Sequence, residues 1–134
     1  MEEDYINDII RGYEKDLQSV KEDGYGALNF VIEQTPELCL AAVKENAWNL
    51  EYVKEQTYAL CFEAIKQDGS ILRIVKEQTY ELCLEAVKQD GWALNFVKEQ
   101  TYEICLEAVK QCVYYLVFVK DPLIKAQIKL ELQL

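Results

Sequence analysis

The sequence predicts an all-α fold, a short α-solenoid of 22-residue two-helix repeats with a capping helix at each end. Three observations predict it. The pair Gln-Thr recurs at 34–35, 56–57, 78–79 and 100–101, a fixed step of 22 residues. A period in this range marks stacked supersecondary units, none of which buries its apolar face alone. Inside each unit the apolar residues follow helical spacing, and the segments flanking the array are amphipathic stretches suited to closing it. The predicted organisation is one domain over 1–134: a capping helix at 3–22, repeats at 35–56, 57–78, 79–100 and 101–121, and a C-terminal cap at 122–134.

The first element, Glu3 to Glu22, carries Ile6, Ile9, Ile10, Tyr13, Leu17 and Val20 at helical spacing. It reads as one long amphipathic helix covering the first repeat. The run VKEDGYGALNF (Val20 to Phe30) matches VKQDGWALNF (Val87 to Phe96) with one residue inserted, so a degenerate fifth copy begins the array.

Each repeat then opens on a threonine. Thr35, Thr57, Thr79 and Thr101 are expected helix N-caps, each oxygen accepting from an otherwise unpaired backbone N–H. Pro36 follows the first of them at a position where a missing N–H costs nothing. Glu81 falls in the first turn, favourably placed against the helix dipole. Leu82, Cys83, Leu84, Ala86 and Val87 cover a wide arc, with Glu81, Glu85 and Lys88 opposite, as suits a helix with neighbours on both sides. Gly69 and Gly91 are expected to end their helices by supplying backbone freedom. The second segment, Trp92 to Glu99, reads as a helix of about two turns that packs Leu94, Phe96 and Val97 inward, with Leu50, Tyr52 and Val53 as counterparts. Tyr58, Tyr80 and Tyr102 read as core residues with exposed hydroxyls.

At the far end, Val113 to Val119 has lost its polar positions and must be covered. Asp121-Pro122 restarts a helix able to do so. The tail Ile128 to Leu134 alternates strictly, which is a strand signal. A capping helix is the preferred reading; a strand would leave a sticky edge for self-association.

The core Ala-Val-Lys-Gln-Asp-Gly (Ala86 to Gly91), followed by Ala93-Leu94 and Phe96-Val97, resembles a family of short two-helix repeats described only as a domain of unknown function. The resemblance spans about residues 20 to 120. It implies the helical fold and names no activity. This chain departs from the pattern in its cysteine at each first-helix centre and its uniform Glu-Gln-Thr junction.

Composition narrows the function classes. Asp and Glu number 24 against 14 Lys and Arg, a formal charge of −10. Nucleic acid, whose binding rests on neutralised phosphates, should be repelled, whereas a basic protein surface should be attracted. Met1-Glu2-Glu3-Asp4 is acidic where a secretion signal would be basic, and no apolar run is long enough to span a bilayer. The expectation is a cytoplasmic chain without a membrane partner. Of the five cysteines, Cys39, Cys61, Cys83 and Cys105 share one repeat position. Neighbouring helices stand about 8–10 Å apart, too far for these to pair, so they read as small buried residues in a reducing compartment. With no histidine and no close cysteine pair, no metal site and no cofactor are expected. The same lack removes the commonest general base, the glycines mark turns, and the carboxylates form a repetitive ladder. The chain is therefore not expected to be an enzyme.

Two surfaces are candidates for binding. Exposed positions that differ between copies are free to be specific, and most lie in the second segment: Trp48 and Glu51, Ser70 and Arg73, Trp92 and Asn95, Tyr114 and Val117. Each pair, three residues apart, shares a helix face, and Trp, Tyr and Arg dominate interface hot spots. The competing reading makes both tryptophans packing between neighbouring second helices. The other surface is a carboxylate ladder of Glu63, Glu85 and Glu107 with Glu37, Glu81 and Glu103. It is either a mimic of a phosphate backbone or a solvated face compensated by Lys66, Lys88 and Lys110. The functional expectation is a non-enzymatic protein-binding module, favoured as an acidic inhibitor of a nucleic-acid-processing enzyme of the anti-CRISPR or anti-nuclease type. The alternative is a structural or adaptor module that self-associates through 113–134.

Overall fold

The structure is a computed structural model describing residues 1–31 and 33–134. Among the described residues there are six α-helices: α1 Glu2–Asp23, α2 Pro36–Glu45, α3 Tyr58–Gln67, α4 Tyr80–Gln89, α5 Tyr102–Gln111 and α6 Pro122–Leu132. Between them run five 3₁₀ helices: η1 Ala27–Asn29, η2 Ala47–Tyr52, η3 Gly69–Ile74, η4 Gly91–Phe96 and η5 Val113–Phe118. Among the described residues there is no strand. The chain divides into two compact units, Met1–Ala64 and Ile65–Leu134, the division falling inside α3.

In the first unit α1 packs on α2, and η1 packs on η2. In the second, α4, α5 and α6 pack in succession, and η3, η4 and η5 pack in succession beside them. Each unit thus has the pair-by-pair stacking of a short α-solenoid, with α-helices in one layer and 3₁₀ helices in the other. The core lies between the layers and repeats by position. Leu82, Cys83, Ala86, Val87, Leu94 and Val97 are buried, as are their counterparts Leu38, Cys39, Ala42, Val43, Leu50 and Val53.

Local chemistry explains the boundaries. Thr35, Thr57, Thr79 and Thr101 accept from the backbone N–H three residues on, at 3.2–3.3 Å. The second segment is shorter and tighter than the α-helix predicted for it. Asp90, in an extended conformation, ends α4 and its carboxylate accepts from Trp92 N at 3.0 Å. Val97 then returns to extended backbone, leaving six residues for η4. So short a run favours i→i+3 bonds over an α-helix that would have to be nucleated afresh.

The glycines also act differently from expectation. Among the described residues, positive φ occurs only at Gly24, Gly26 and Gln133. Gly69 and Gly91 open the 3₁₀ helices and are needed for close approach. A Cβ on Gly69 would stand 2.5 Å from the Ala86 carbonyl oxygen. The left-handed glycines belong to the degenerate first copy, where the inserted residue shortens η1 to three residues. Asn49 repairs that irregular turn. Fully buried, it donates to Gly24 O and Ala42 O at 3.1 and 2.9 Å and accepts from Gly26 N at 2.8 Å.

The repeated glutamine clamps successive copies. Gln100 Nε2 donates to Leu94 O in its own repeat (3.3 Å) and to Phe118 O in the next (2.9 Å). Its Oε1 accepts from Lys120 N (2.9 Å) and from the Cys105 thiol (3.7 Å). Gln78 makes the same four contacts. The recurrent cysteine is therefore a small apolar residue that also donates weakly to the clamp.

At the C-terminus the helical reading of the cap holds, with Asp121 accepting from Leu123 N at 2.8 Å. The cap covers less than expected. Helix α6 packs on α5 through the buried Ile128 and a Tyr102–Glu131 hydrogen bond. Tyr114 and Val117 of η5 stay 82% and 72% exposed. At the other end α1 is more than twice as long as α2. Of its predicted apolar face only Val20 is buried; Ile6, Ile9, Ile10 and Tyr13 are exposed. Tyr58 and Tyr80 are also at the surface, and Tyr102 is half-buried, so this line of tyrosines is not core.

Candidate interaction surface

The 3₁₀ helix sharpens the variable stripe, because at three residues per turn positions i and i+3 eclipse. Trp92 and Asn95 are both exposed on η4, and Arg73 is exposed at the Asn95 position of η3, the helix packed beside it. Trp48, half-buried, and Glu51, exposed, occupy the same register on η2 in the first unit. Packing claims part of this stripe. The Trp92 indole meets the Phe118 ring of the following copy edge-on, centroids 4.9 Å apart. The equivalent pair in the first unit is Tyr25 on Tyr52, at 5.2 Å. In both pairs an aromatic at or just before the opening of a 3₁₀ helix rests on the ring that closes the next one. Trp92, 45% exposed, retains an open face. Tyr114 at the same position has no following ring. Glu51 accepts from the Tyr25 hydroxyl at 2.6 Å, which pushes that phenol's pKa upward.

The carboxylate ladder is placed on the α layer. Glu81 and Glu103 are exposed and Glu85 and Glu107 half-buried, in two rows on the adjacent helices α4 and α5. Glu37 is exposed on α2, and Glu63 half-buried on α3. Two of the compensating pairs expected here, Glu85 with Lys88 and Glu107 with Lys110, do not form. Among the described residues, ion pairs join Met1 to Asp4 and Arg11 to Asp8, and none joins Glu85 to Lys88 or Glu107 to Lys110. The exposed Lys88 and Lys110 ammoniums stay in water, where an i, i+3 pair contributes little.

The thiols are held inert. Cys39, Cys61, Cys83 and Cys105 are buried and unpaired, and Cys112 is half-buried. Burial raises all four buried thiols, Cys83 and Cys105 to about 11, with the Glu99 and Asp121 carboxylates adding to the latter two. Native protein at neutral pH should therefore yield one fast thiol, Cys112, to an excess of Ellman's reagent, the other four following global unfolding. Because the raised thiols stay neutral when folded, stability should fall as pH rises from about 9 toward 11, where the unfolded chain ionises first. Two or more fast thiols would contradict the burial.

A further feature escaped the sequence reading. Between the N-terminal ends of α2 and α3 lies a groove of about 520 Å³ floored by Pro36, Cys39, Leu40, Ala59 and Leu60, with Glu33 and Glu55 at its rim. The equivalent groove between α4 and α5 holds about 180 Å³. Two substitutions explain the difference: Pro36 stands where Tyr80 stands, and Ala59 where Glu103 stands. Loss of a ring and a carboxylate widens the groove and leaves its helix residues apolar, while Glu33, Lys54 and Glu55 keep charge at its rim. Comparing copies along the first helix as well as the second would have revealed it.

Among the described residues, no three His, Cys, Asp or Glu side chains are grouped to hold a metal ion, and no helix is long and apolar enough to cross a membrane. No curated protein and no solved structure matches the chain. Residues 60–102 and 79–124 each match the domain of unknown function DUF4116, two overlapping matches consistent with a family of short repeats.

Proposed function

We propose that the chain is a non-catalytic protein-binding repeat module whose acidic face takes a basic protein surface, and that it inhibits a nucleic-acid-processing enzyme, of the anti-CRISPR or anti-nuclease type, by occupying its basic channel. One observation carries the reading: Glu81, Glu85, Glu103 and Glu107 stand in two rows on packed neighbouring helices, and Lys88 and Lys110 do not pair with Glu85 and Glu107. Fixed rows of carboxylate on a rigid framework suit a surface that otherwise holds phosphates. The lack of histidine and the inert buried thiols support the non-catalytic part.

A second reading has its own observation. Tyr114, Val117, Leu123, Leu130 and Leu134 are all more than half exposed near the C-terminus, an apolar surface suited to self-association in a structural or adaptor role. Salt separates the two. In a host-lysate pull-down, the inhibitor reading expects a basic nuclease or related enzyme that elutes as salt rises and loses activity when the purified chain is added. Replacing Glu81, Glu85, Glu103 and Glu107 together by Gln should weaken that binding by about tenfold or more. Recovery of the chain alone, resistant to salt and unchanged in the variant, would favour self-association.

A further inference from the structure

The largest exposed apolar feature of the first unit is on α1. Tyr5, Ile6, Ile9, Ile10 and Tyr13 are 68, 49, 55, 48 and 36% exposed. They form one continuous stripe at helical spacing, in line with the half-buried Leu17 and the buried Val20. The C-terminal end of α1 is thus seated while its first turns project bare. From Tyr5 to Tyr13 the stripe runs about 12 Å, the reach over which a partner helix offers anchors at i, i+3, i+4 and i+7.

Charge selects the occupant. Over Glu2 to Glu14 there are five acidic side chains, Glu2, Glu3, Asp4, Asp8 and Glu14, against one basic residue, Arg11. Helical spacing sets Glu3 and Glu14 along one edge of the stripe and Asp8 along the other. Arg11 lies on the far side, where it pairs weakly with Asp8 at 3.5 Å, both groups well exposed. A second copy would set acidic edges against acidic edges whether the helices ran parallel or antiparallel. An anionic membrane surface would be repelled likewise. A helix with an apolar seam edged by Lys or Arg satisfies both the stripe and its rims.

We infer that α1 is a docking helix for a cationic amphipathic helix of another protein, which packs its apolar seam on Tyr5, Ile6, Ile9, Ile10 and Tyr13 between the Glu3/Glu14 and Asp8 edges. This site is separate from the carboxylate rows of α4 and α5.

The test uses the full chain and two three-heptad fluorescent peptides, both with leucine at a and d, one with lysine and the other with glutamate at e and g. Anisotropy at near-physiological salt should show binding of the lysine peptide and at least tenfold weaker binding of the glutamate peptide. Ile9→Asp should weaken the lysine peptide about tenfold although it makes the protein more acidic. Asp8→Lys with Glu14→Lys should shift preference toward the glutamate peptide. Thermal melts of both variants should match the parent, because these side chains are exposed. Replacing the four α4–α5 glutamates should leave peptide binding intact, so the two proposals fail separately. Unchanged or tighter lysine-peptide binding by Ile9→Asp would reduce the effect to diffuse attraction and overturn the inference. A concentration-dependent oligomer in sedimentation that Ile9→Asp dissolves would also overturn it, by giving the stripe to a second copy.

Discussion

Gln100→Ala is expected to lower the unfolding free energy by about 2–3 kcal/mol, with a melting temperature lower by roughly 10 °C. The side chain is half-buried, and its amide serves several partners at once. Its Nε2 ties Leu94 O to Phe118 O, and its Oε1 holds Lys120 N and the Cys105 thiol. Removing it leaves two carbonyls and an N–H at the ends of successive 3₁₀ helices without this partner, and each such loss costs on the order of 1 kcal/mol net. Exposure tempers the loss where water reaches the freed groups. Gln111 gives the comparison. It also bridges copies, donating to Val87 O and accepting from Gly91 N at 2.6 and 2.8 Å, but from an exposed position. Gln111→Ala should therefore cost less than half as much. Calorimetric melts of both variants check the order. A Gln100→Ala melt within a degree of the parent would show that the clamp contributes little.

The Gln-Thr step that made the repeat visible turns out to be its mechanical junction. Threonine was legible because an N-cap is a local device, set by the residue and the three that follow it. Glutamine was legible as a repeat and silent as to purpose, because the partners that join it to the next 3₁₀ helix lie 18 and 20 residues away. The same distinction explains the glycines. The sequence marks a turn near Gly69, whereas the backbone that crowds it belongs to Ala86 of the next copy. The α1 stripe was legible as amphipathic. Its exposure was not, because spacing reports a face and not the length of the neighbour that covers it. Among the binding candidates, the carboxylate rows could be read from periodicity alone. The ring contact that partly engages Trp92 comes from Phe118, a pairing between copies that emerges only when they stack.

The last expectation concerns those close approaches. Gly69→Ala should destabilise by about 3 kcal/mol, the upper range for forcing an added carbon into a packed site. The added Cβ would sit 2.5 Å from Ala86 O, a backbone atom that also accepts from Asp90 N at 3.0 Å and so fixes the end of α4. The atom cannot withdraw without opening that cap. Gly69 has no positive φ, so alanine brings a backbone-entropy gain of about 0.5–1 kcal/mol, which the clash exceeds. Gly91→Ala tests the same logic with a softer obstacle. Its Cβ would meet the Tyr115 ring at 2.6 Å, and that half-buried ring can swing aside, so about 1 kcal/mol is expected. Gly12, inside α1 with nothing within 4 Å of a built Cβ, should instead gain about 0.5–1 kcal/mol as alanine. The three variants should rank Gly12→Ala above the parent, Gly91→Ala below it and Gly69→Ala lowest in denaturant midpoint at constant slope. A neutral Gly69→Ala would mean that α4 and η3 separate readily, and the stacking would then owe its register to the glutamine clamp rather than to the fit of backbone against backbone.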